Sequence, residues 1–205
     1  MSDLPTSFWD DKFSTEDYVF GERPNAFLER QAERISGRRH ALAVADGEGR
    51  NGVWLAEQGL DVTSIDASQV GLSKADALAL RRGVRLTTRR VDIAAYDWPE
   101  QSFDLVVAIF IQFAPPALRD AIFAGMIHTL APGGLLLIEG YTPRQLDYRT
   151  GGPGQLDQLY TAALLREKFA DLEIIELAEY DAELSEGKRH VGTSALVDLV
   201  ARKPR

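Results

Sequence analysis

Ala41-Leu42-Ala43-Val44-Ala45-Asp46-Gly47-Glu48-Gly49-Arg50-Asn51-Gly52 is the stretch on which the fold turns. An apolar run of strand length ends in a glycine-rich corner, and helix-compatible residues follow. Outward from it, Val62-Thr63-Ser64-Ile65 is a second strand-like run that ends in Asp66, 17 residues after Gly49. A strand, a tight turn, a helix and a second strand closed by a carboxylate make the front half of a nucleotide-binding α/β unit.

The same alternation continues along the chain. Pro24-Asn25 opens a helix with Phe27, Leu28, Ala32 and Ile35 as its apolar positions, ended by Gly37. The first strand is expected at 40–45, a helix at 51–58 stopped by Gly59, and the second strand at 61–66. Ser68 reads as the N-cap of a helix to Arg82, with Gly83 as terminator. A third strand covers 84–89, a loop 92–98 and a buried strand 103–109. Pro115-Pro116 starts a helix to about Leu130, Ala131-Pro132-Gly133-Gly134 reads as a tight turn, and 135–139 is a fifth strand. A polar loop fills 140–154. Thr161 begins a short helix whose apolar face is Leu164, Leu165 and Phe169, and two strands follow at about 172–180 and 193–202.

Alternating strands and helices imply a parallel sheet with right-handed crossovers. The last two strands are joined without a helical pattern, so they should pair antiparallel, as a hairpin at one end of the sheet. The fold class is therefore α/β, Rossmann-like and doubly wound: a seven-stranded, mostly parallel sheet with an antiparallel C-terminal strand and helices on both faces. Residues 1–205 are expected to form one domain. Residues 1–23, with Phe8, Trp9, Phe13, Tyr18 and Phe20 in no clean period, form an arm that either packs over the core or covers a site as a lid.

Composition narrows the function. A net charge of −8 argues against wrapping duplex nucleic acid, and leaves room for a small basic patch around an anionic substrate. The chain has no cysteine, which excludes disulfides, thiolate metal sites and cysteine nucleophiles, and no metal site is expected. No apolar run reaches the roughly 18 residues of a membrane span. Met1-Ser2-Asp3-Leu4-Pro5 lacks the features of a signal peptide, so a cytoplasmic location is the default expectation.

Gly47-Glu48-Gly49-Arg50-Asn51-Gly52 matches the dinucleotide pattern G-x-G-x-x-G literally. A pyrophosphate at that turn would meet Asp46 and Glu48, and negative side chains there are unhelpful. Two carboxylates suit a cofactor with positive charge and no phosphate, and S-adenosyl-L-methionine carries a sulfonium and an ammonium. Asp66 can accept both ribose hydroxyls of either cofactor, or serve as a turn or cap residue. Asp92 and Ile93, just past the third strand, would place a carboxylate and an apolar side chain at an adenine edge; alone, Asp92 could be a solvated loop acid. The glycine corner, Asp66 and Asp92 at three successive strand ends are stronger together than any one of them.

These segments, with Phe103-Asp104-Leu105-Val106-Val107 and Leu130-Ala131-Pro132-Gly133-Gly134-Leu135-Leu136, resemble class I S-adenosylmethionine-dependent methyltransferases over about residues 18–203. Within them, Tyr18-Val19-Phe20-Gly21, Pro24-Asn25 and the Gly-Glu-Gly-Arg-Asn run look like the bacterial tellurite-resistance branch, itself similar to thiopurine methyltransferases. The resemblance implies a seven-stranded sheet with its last strand antiparallel between its neighbours. It implies a cofactor site at Asp46, Gly47, Glu48, Gly49, Asn51, Asp66, Ala67, Ser68, Asp92, Ile93 and Ile109. The family usually has an acidic residue where Ala43 stands and a glycine where Ala45 stands. Asp46 is expected to replace the missing carboxylate near the methionine end of the cofactor.

Methyl transfer from a sulfonium is a direct displacement in which positioning and desolvation supply most of the rate. A soft sulfur, selenium or tellurium nucleophile needs no strong base; an oxygen or nitrogen acceptor can need one. Acceptor-side candidates follow the later strands: Tyr141, Arg144, Tyr148 and Arg149 after the fifth, and Lys188, Arg189 and His190 in an exposed loop between the last two. His190 and Tyr141 are the candidate catalytic groups. His190 is either a base or an ordinary loop histidine, and the basic cluster either a binding patch or a solvated turn. Gln112 and Phe113 follow the fourth strand, where the methyl donor should point, and Ile109 and Phe110 could flank the cofactor. Arg23 and Arg50 could meet an anionic group. His40 and His128 read as structural, His128 near a helix C-terminus where a cation offsets the dipole.

Three functions remain open at this level. The first is a methyltransferase acting on a small-molecule acceptor, without nucleic acid or membrane. The second is a non-catalytic protein that keeps the fold and the cofactor. The third is a nicotinamide-dependent oxidoreductase, for which no recognisable Tyr-x-x-x-Lys is present.

Overall fold

The computed structural model describes residues 6–205, so the first five positions of the N-terminal arm lie outside the described residues. A seven-stranded sheet in the order β3-β2-β1-β4-β5-β7-β6 forms the centre. Its strands are β1 (His40–Val44), β2 (Asp61–Asp66), β3 (Thr87–Arg90), β4 (Phe103–Ile109), β5 (Leu130–Tyr141), β6 (Glu173–Glu186) and β7 (His190–Arg202). The first five run parallel. β7 is antiparallel to both neighbours, β5 and β6, as expected.

Side chains alternate across the sheet, so each buried strand feeds two cores. Leu42, Val44, Val106, Ala108, Leu136 and Ile138 face one layer, which contains Phe123 and Met126 of helix α6 (Pro116–Thr129) and Leu165 of α8 (Ala162–Lys168). Ala41, Ala43, Leu105, Val107, Leu135 and Leu137 face the other. That layer holds Phe27 and Leu28 of α2 (Ala26–Arg30), Ile35 of α3 (Ala32–Ile35) and Trp54 and Leu55 of α4 (Arg50–Glu57). Helix α5 (Gln69–Arg82) packs Leu78 and Ala79 against Val53. Ser68 caps it by accepting from the Gly71 N–H, and Gly83 ends it at φ +73°. Thr161 caps α8 in the same way. Among the described residues, no helix is long and apolar enough to cross a membrane.

Several elements differ from the sequence-based expectation. Thr6–Phe13 of the arm forms helix α1, although its aromatics show no clean period, because tertiary contacts fix it. Asp10 Oδ1 accepts from Ser68 Oγ at 2.6 Å and from the Val70 N–H at 3.1 Å. The helix expected at 24–37 is broken at Gln31 into α2 and α3. β3 starts at Thr87 rather than Val84, and Ile93–Ala95 makes a 3-10 turn capped by Asp92. Residues 131–134 belong to β5, which continues to Tyr141. A short helix, α7 (Gln145–Tyr148), then interrupts the expected polar loop. The largest correction is the last connection. β6 and β7 stay paired from Glu173↔Arg202 to Glu186↔His190, so the expected loop is mostly strand with a tight turn at its tip. Cross-strand hydrogen bonding holds that arm together where an apolar period is weak.

Gly49 lets the two helices that flank the corner approach each other. It has φ +85°, and a Cβ there would lie 2.8 Å from the Ala75 Cα of α5. Gly49→Ala combines left-handed strain with overpacking and is expected to cost about 2–4 kcal/mol in urea unfolding. A loss under about 0.5 kcal/mol would mean that α4 and α5 do not depend on this contact.

Candidate functional site

The carboxyl ends of β1 to β5 open on one edge of the sheet, and β7 starts there because it runs the other way. A cavity follows this edge from β3 to β7. At the β3 and β2 side it is lined by Val91, Asp92, Ile93, Asp66 and Ala67, and in the middle by Ala43, Ala45, Asp46, Gly47, Glu48 and Asn51. At the β4 and β7 side it is lined by Ile109, Phe110, Phe113, Arg50 and His190. Trp9 and Phe13 of α1 and Phe20 of the following segment also line it. Gly49 and Ser68 are not part of the lining; they shape the turn and cap α5.

Asp66 holds the corner together. One carboxylate oxygen accepts from the Gly47 N–H and the other from the Ser68 N–H, each at 2.8 Å. Burial pushes its pKa up against these donors. A carboxylate offers about four lone-pair sites, so acceptor capacity remains for a ligand's hydroxyls. Asp92 is exposed and accepts from the Ala94 N–H at 3.0 Å, with Val91 and Ile93 beside it on the cavity wall.

The two acids of the glycine corner have different surroundings. Asp46 accepts from Ser64 Oγ at 2.8 Å and from the Gly52 N–H at 3.2 Å, and burial pushes its pKa up to about 7. The Glu48 carboxylate accepts from the Val19 N–H at 2.7 Å and pairs with Lys74. Lys74 in turn donates to the Thr15 and Asp17 carbonyls. Glu48 thus fastens the arm to the turn. Asn51 Oδ1 accepts from the Asn25 N–H at 2.9 Å and ties α4 to the start of α2.

Two non-glycine residues on the cavity wall adopt left-handed backbone conformations, Ala45 at φ +49° and Phe110 at φ +56°. Ala45 occupies the position where the resembling family has glycine, which explains that preference physically. Such strain persists only where the surroundings over-determine it, and it clusters at ligand sites.

His190 is buried, not part of an exposed loop. Its ring lies 4.6 Å from Phe20 and 4.4 Å from Phe110 between centroids. Nδ1 has no hydrogen-bond partner among the described residues and sits 3.9 Å from Glu186 Oε2. Burial pulls the imidazole below its ordinary pKa, so it is neutral at pH 7. Glu186, not singled out in the sequence, pairs with Arg50 at 2.8 Å and is held down at about 2. Against its own desolvation, the His190 contact and the Arg50 charge keep it ionised. A period-based reading has no signal for this pair.

Tyr141 is buried and stacks on Phe110 at 4.6 Å, but it does not line the cavity, and its hydroxyl has no partner among the described residues. Burial raises its pKa. Gln112 is consumed by the fold, donating to the Tyr141 carbonyl at 2.8 Å. Arg144 and Tyr148 bind Asp181 at the surface, Arg149 is exposed, and Lys188 pairs with Asp17. Arg23 is exposed and away from the main cavity, His40 lies 3.5 Å from Asp61, and His128 is in the last turn of α6. The basic cluster of the sequence is therefore split: His190 lines the cavity, Lys188 is paired with Asp17, and Arg189 is exposed on the adjoining turn.

Residues 41–134 match the family model described as methyltransferase domain. A protein solved in work on the conversion of a disulfide bond into a thioacetal group during echinomycin biosynthesis superposes with TM-score 0.78 at 18% identity, over 97% of this chain and 92% of that one. The N-methyltransferase NodS from Bradyrhizobium japonicum, in complex with S-adenosyl-L-homocysteine, gives 0.73 at 16% identity, over 98% of each chain. TehB from Haemophilus influenzae gives 0.72 at 21% identity, over 97% of this chain and 66% of that one. A search of curated proteins finds no match. Over residues 41–134, less than half of the chain, the sequence is similar to that family, and the solved structures share the Rossmann-like fold; the cofactor to weigh against the site is S-adenosyl-L-methionine, whose product S-adenosyl-L-homocysteine is bound in NodS.

The corner suits that cofactor better than a dinucleotide. The N-terminus of α4 is the usual seat of a phosphate, but its Gly52 N–H is already taken by Asp46. Arg50, the cation on the wall, is paired with Glu186. Half-buried Asp46 and buried Asp66 are stabilised by an incoming cation and repel a pyrophosphate.

Asp46 sets a pH dependence. Its folded pKa lies above the unfolded value, so its contribution is full below about pH 4 and is lost as pH rises through about 7. Asp46→Asn is expected to unfold about 1–3 kcal/mol later than the parent at pH 8, the advantage vanishing towards pH 4. Parallel stability curves across that window would contradict the assignment.

Proposed function

We propose that this protein is an S-adenosylmethionine-dependent methyltransferase acting on a small molecule, with a soft sulfur, selenium or tellurium nucleophile as the favoured acceptor. The observation that carries the reading is the pair of acids, half-buried Asp46 and buried Asp66, at a helix N-terminus whose N–H is already used. Asp66 receives the ribose hydroxyls, and Val91, Asp92 and Ile93 flank the adenine. Gly47, Asn51 and Ile109 shape the middle of the site, where Asp46 offers its charge to the methionine end. Gly49, Ser68, Ala67 and Glu48 hold the corner and the arm in place. The bound cofactor supplies an electrophilic methyl group on a sulfonium.

The chain's own residues do the rest. Trp9, Phe13, Phe20 and Phe113 exclude water, with the arm acting as a lid, and Phe110 and Ile109 orient the acceptor. Neutral His190 is placed to take a proton from an acceptor that carries one; Tyr141 backs Phe110. A soft acceptor agrees with this largely apolar wall and with the sulfur chemistry named for one structural neighbour. A second reading, a binding protein without turnover, is favoured by the strained Ala45 and by Ala43 at the usual acidic position.

Calorimetry tests the cofactor. S-adenosyl-L-methionine is expected to bind and NADH not, and Asp66→Ala is expected to weaken binding by about tenfold or more. Equal or preferred binding of NADH would end the proposal. For an oxygen acceptor, His190→Gln is expected to lower kcat by about 100-fold with little change in KM. An unchanged kcat would remove His190 as a base.

A further inference from the structure

Lys12, on α1, reaches over two rings of the cavity wall, Trp9 beside Phe113 after β4 and Phe20 beside His190 of β7. Its Nζ lies 4.6 Å from the Trp9 ring centroid and 5.1 Å from that of Phe20, both of which line the cavity. The side chain is half-buried, and no carboxylate lies within ion-pair distance of it among the described residues. Its charged neighbour is Arg189 at the tip of the β6–β7 hairpin, which repels it, and burial and that repulsion together lower its pKa. Arg189 likewise has no ion-pair partner among the described residues, whereas neighbouring Lys188 is paired with Asp17.

This arrangement is unusual for a chain of net charge −8. Lys12 sits over rings that line the cavity and Arg189 directly precedes His190 on its wall; two like charges close enough to repel, one of them partly desolvated, destabilise each other unless an anion joins them. Cation–π contact alone offsets little of that at a half-exposed site. The rings beneath are a flat apolar surface, and Phe20 links Lys12 to His190, whose ring is 4.6 Å away. The nucleoside end of the cavity, at Asp66 and Asp92, lies across the sheet edge from this cluster, by strand order.

We propose that Lys12 and Arg189 select the acceptor by its charge: it is a small molecule with an apolar, ring-sized body and one carboxylate or other oxyanion, the anion held at the cavity mouth while the body lies on Phe20 and Trp9. The assignment of this end to the acceptor rests on the methyltransferase reading; the anion site itself does not.

The test is binding of two non-reacting probes of one shape, 3-phenylpropionate and 3-phenylpropanamide, followed by tryptophan fluorescence with and without S-adenosylhomocysteine. The anion is expected to bind about tenfold tighter than the amide, with the preference shrinking as salt rises. Lys12→Gln and, separately, Arg189→Gln are expected to remove most of that preference; Arg189 is on an exposed turn, so its variant keeps the fold. Equal binding of the two probes, or a preference that survives both substitutions, overturns the proposal. Failure of S-adenosylhomocysteine to bind in the same samples counts against the methyltransferase reading instead, and the probe preference is then read from the cofactor-free arm.

Discussion

Two backbone N–H groups from different strand exits converge on one buried carboxylate, that of Asp66. Gly47 belongs to the corner after β1, and Ser68 to the start of α5 after β2. Joining them fixes the two exits relative to each other before any ligand arrives. The close approach of Gly49 to Ala75 then sets α4 against α5. A cavity can form along this edge because the backbone around it is held by bonds that do not involve the ligand. Rigid support of this kind is what positions a reacting pair without a dedicated catalytic residue.

The arm depends on the same corner. Glu48 accepts from the Val19 N–H and Lys74 donates to the Thr15 and Asp17 carbonyls, while Asp10 accepts from Ser68 and the Val70 N–H at the start of α5. Each link begins or ends within the glycine corner or on α5. The roof of Trp9, Phe13 and Phe20 over the cavity is therefore an extension of the glycine corner. The opposite wall comes from far along the chain. β7 runs antiparallel, which brings His190, its first residue, to the edge where the parallel strands end.

Much of this was legible in the sequence for physical reasons. The apolar runs at Leu42, Val106 and Leu136, the glycine corner and the caps Ser68 and Thr161 act locally, so strand and helix identities follow from short windows. The antiparallel final pair followed from a connection with no helical pattern. What escaped was set by distant partners. Helix α1 is held by Ser68 and Val70, and the long hairpin by cross-strand bonds. The burial of His190 and its Glu186–Arg50 neighbours comes from three separate elements. Asp46 and Glu48 read alike in sequence, yet one accepts from Ser64 and the Gly52 N–H under the turn and the other clips the arm.

The most direct measurement is a crystal structure with S-adenosylhomocysteine. The account predicts ribose hydroxyls within hydrogen-bond distance of Asp66, the adenine beside Val91 and Ile93, and the sulfur turned towards Phe110 and His190. A ligand whose ribose avoids Asp66, or whose sulfur faces away from the aromatic wall, would contradict it.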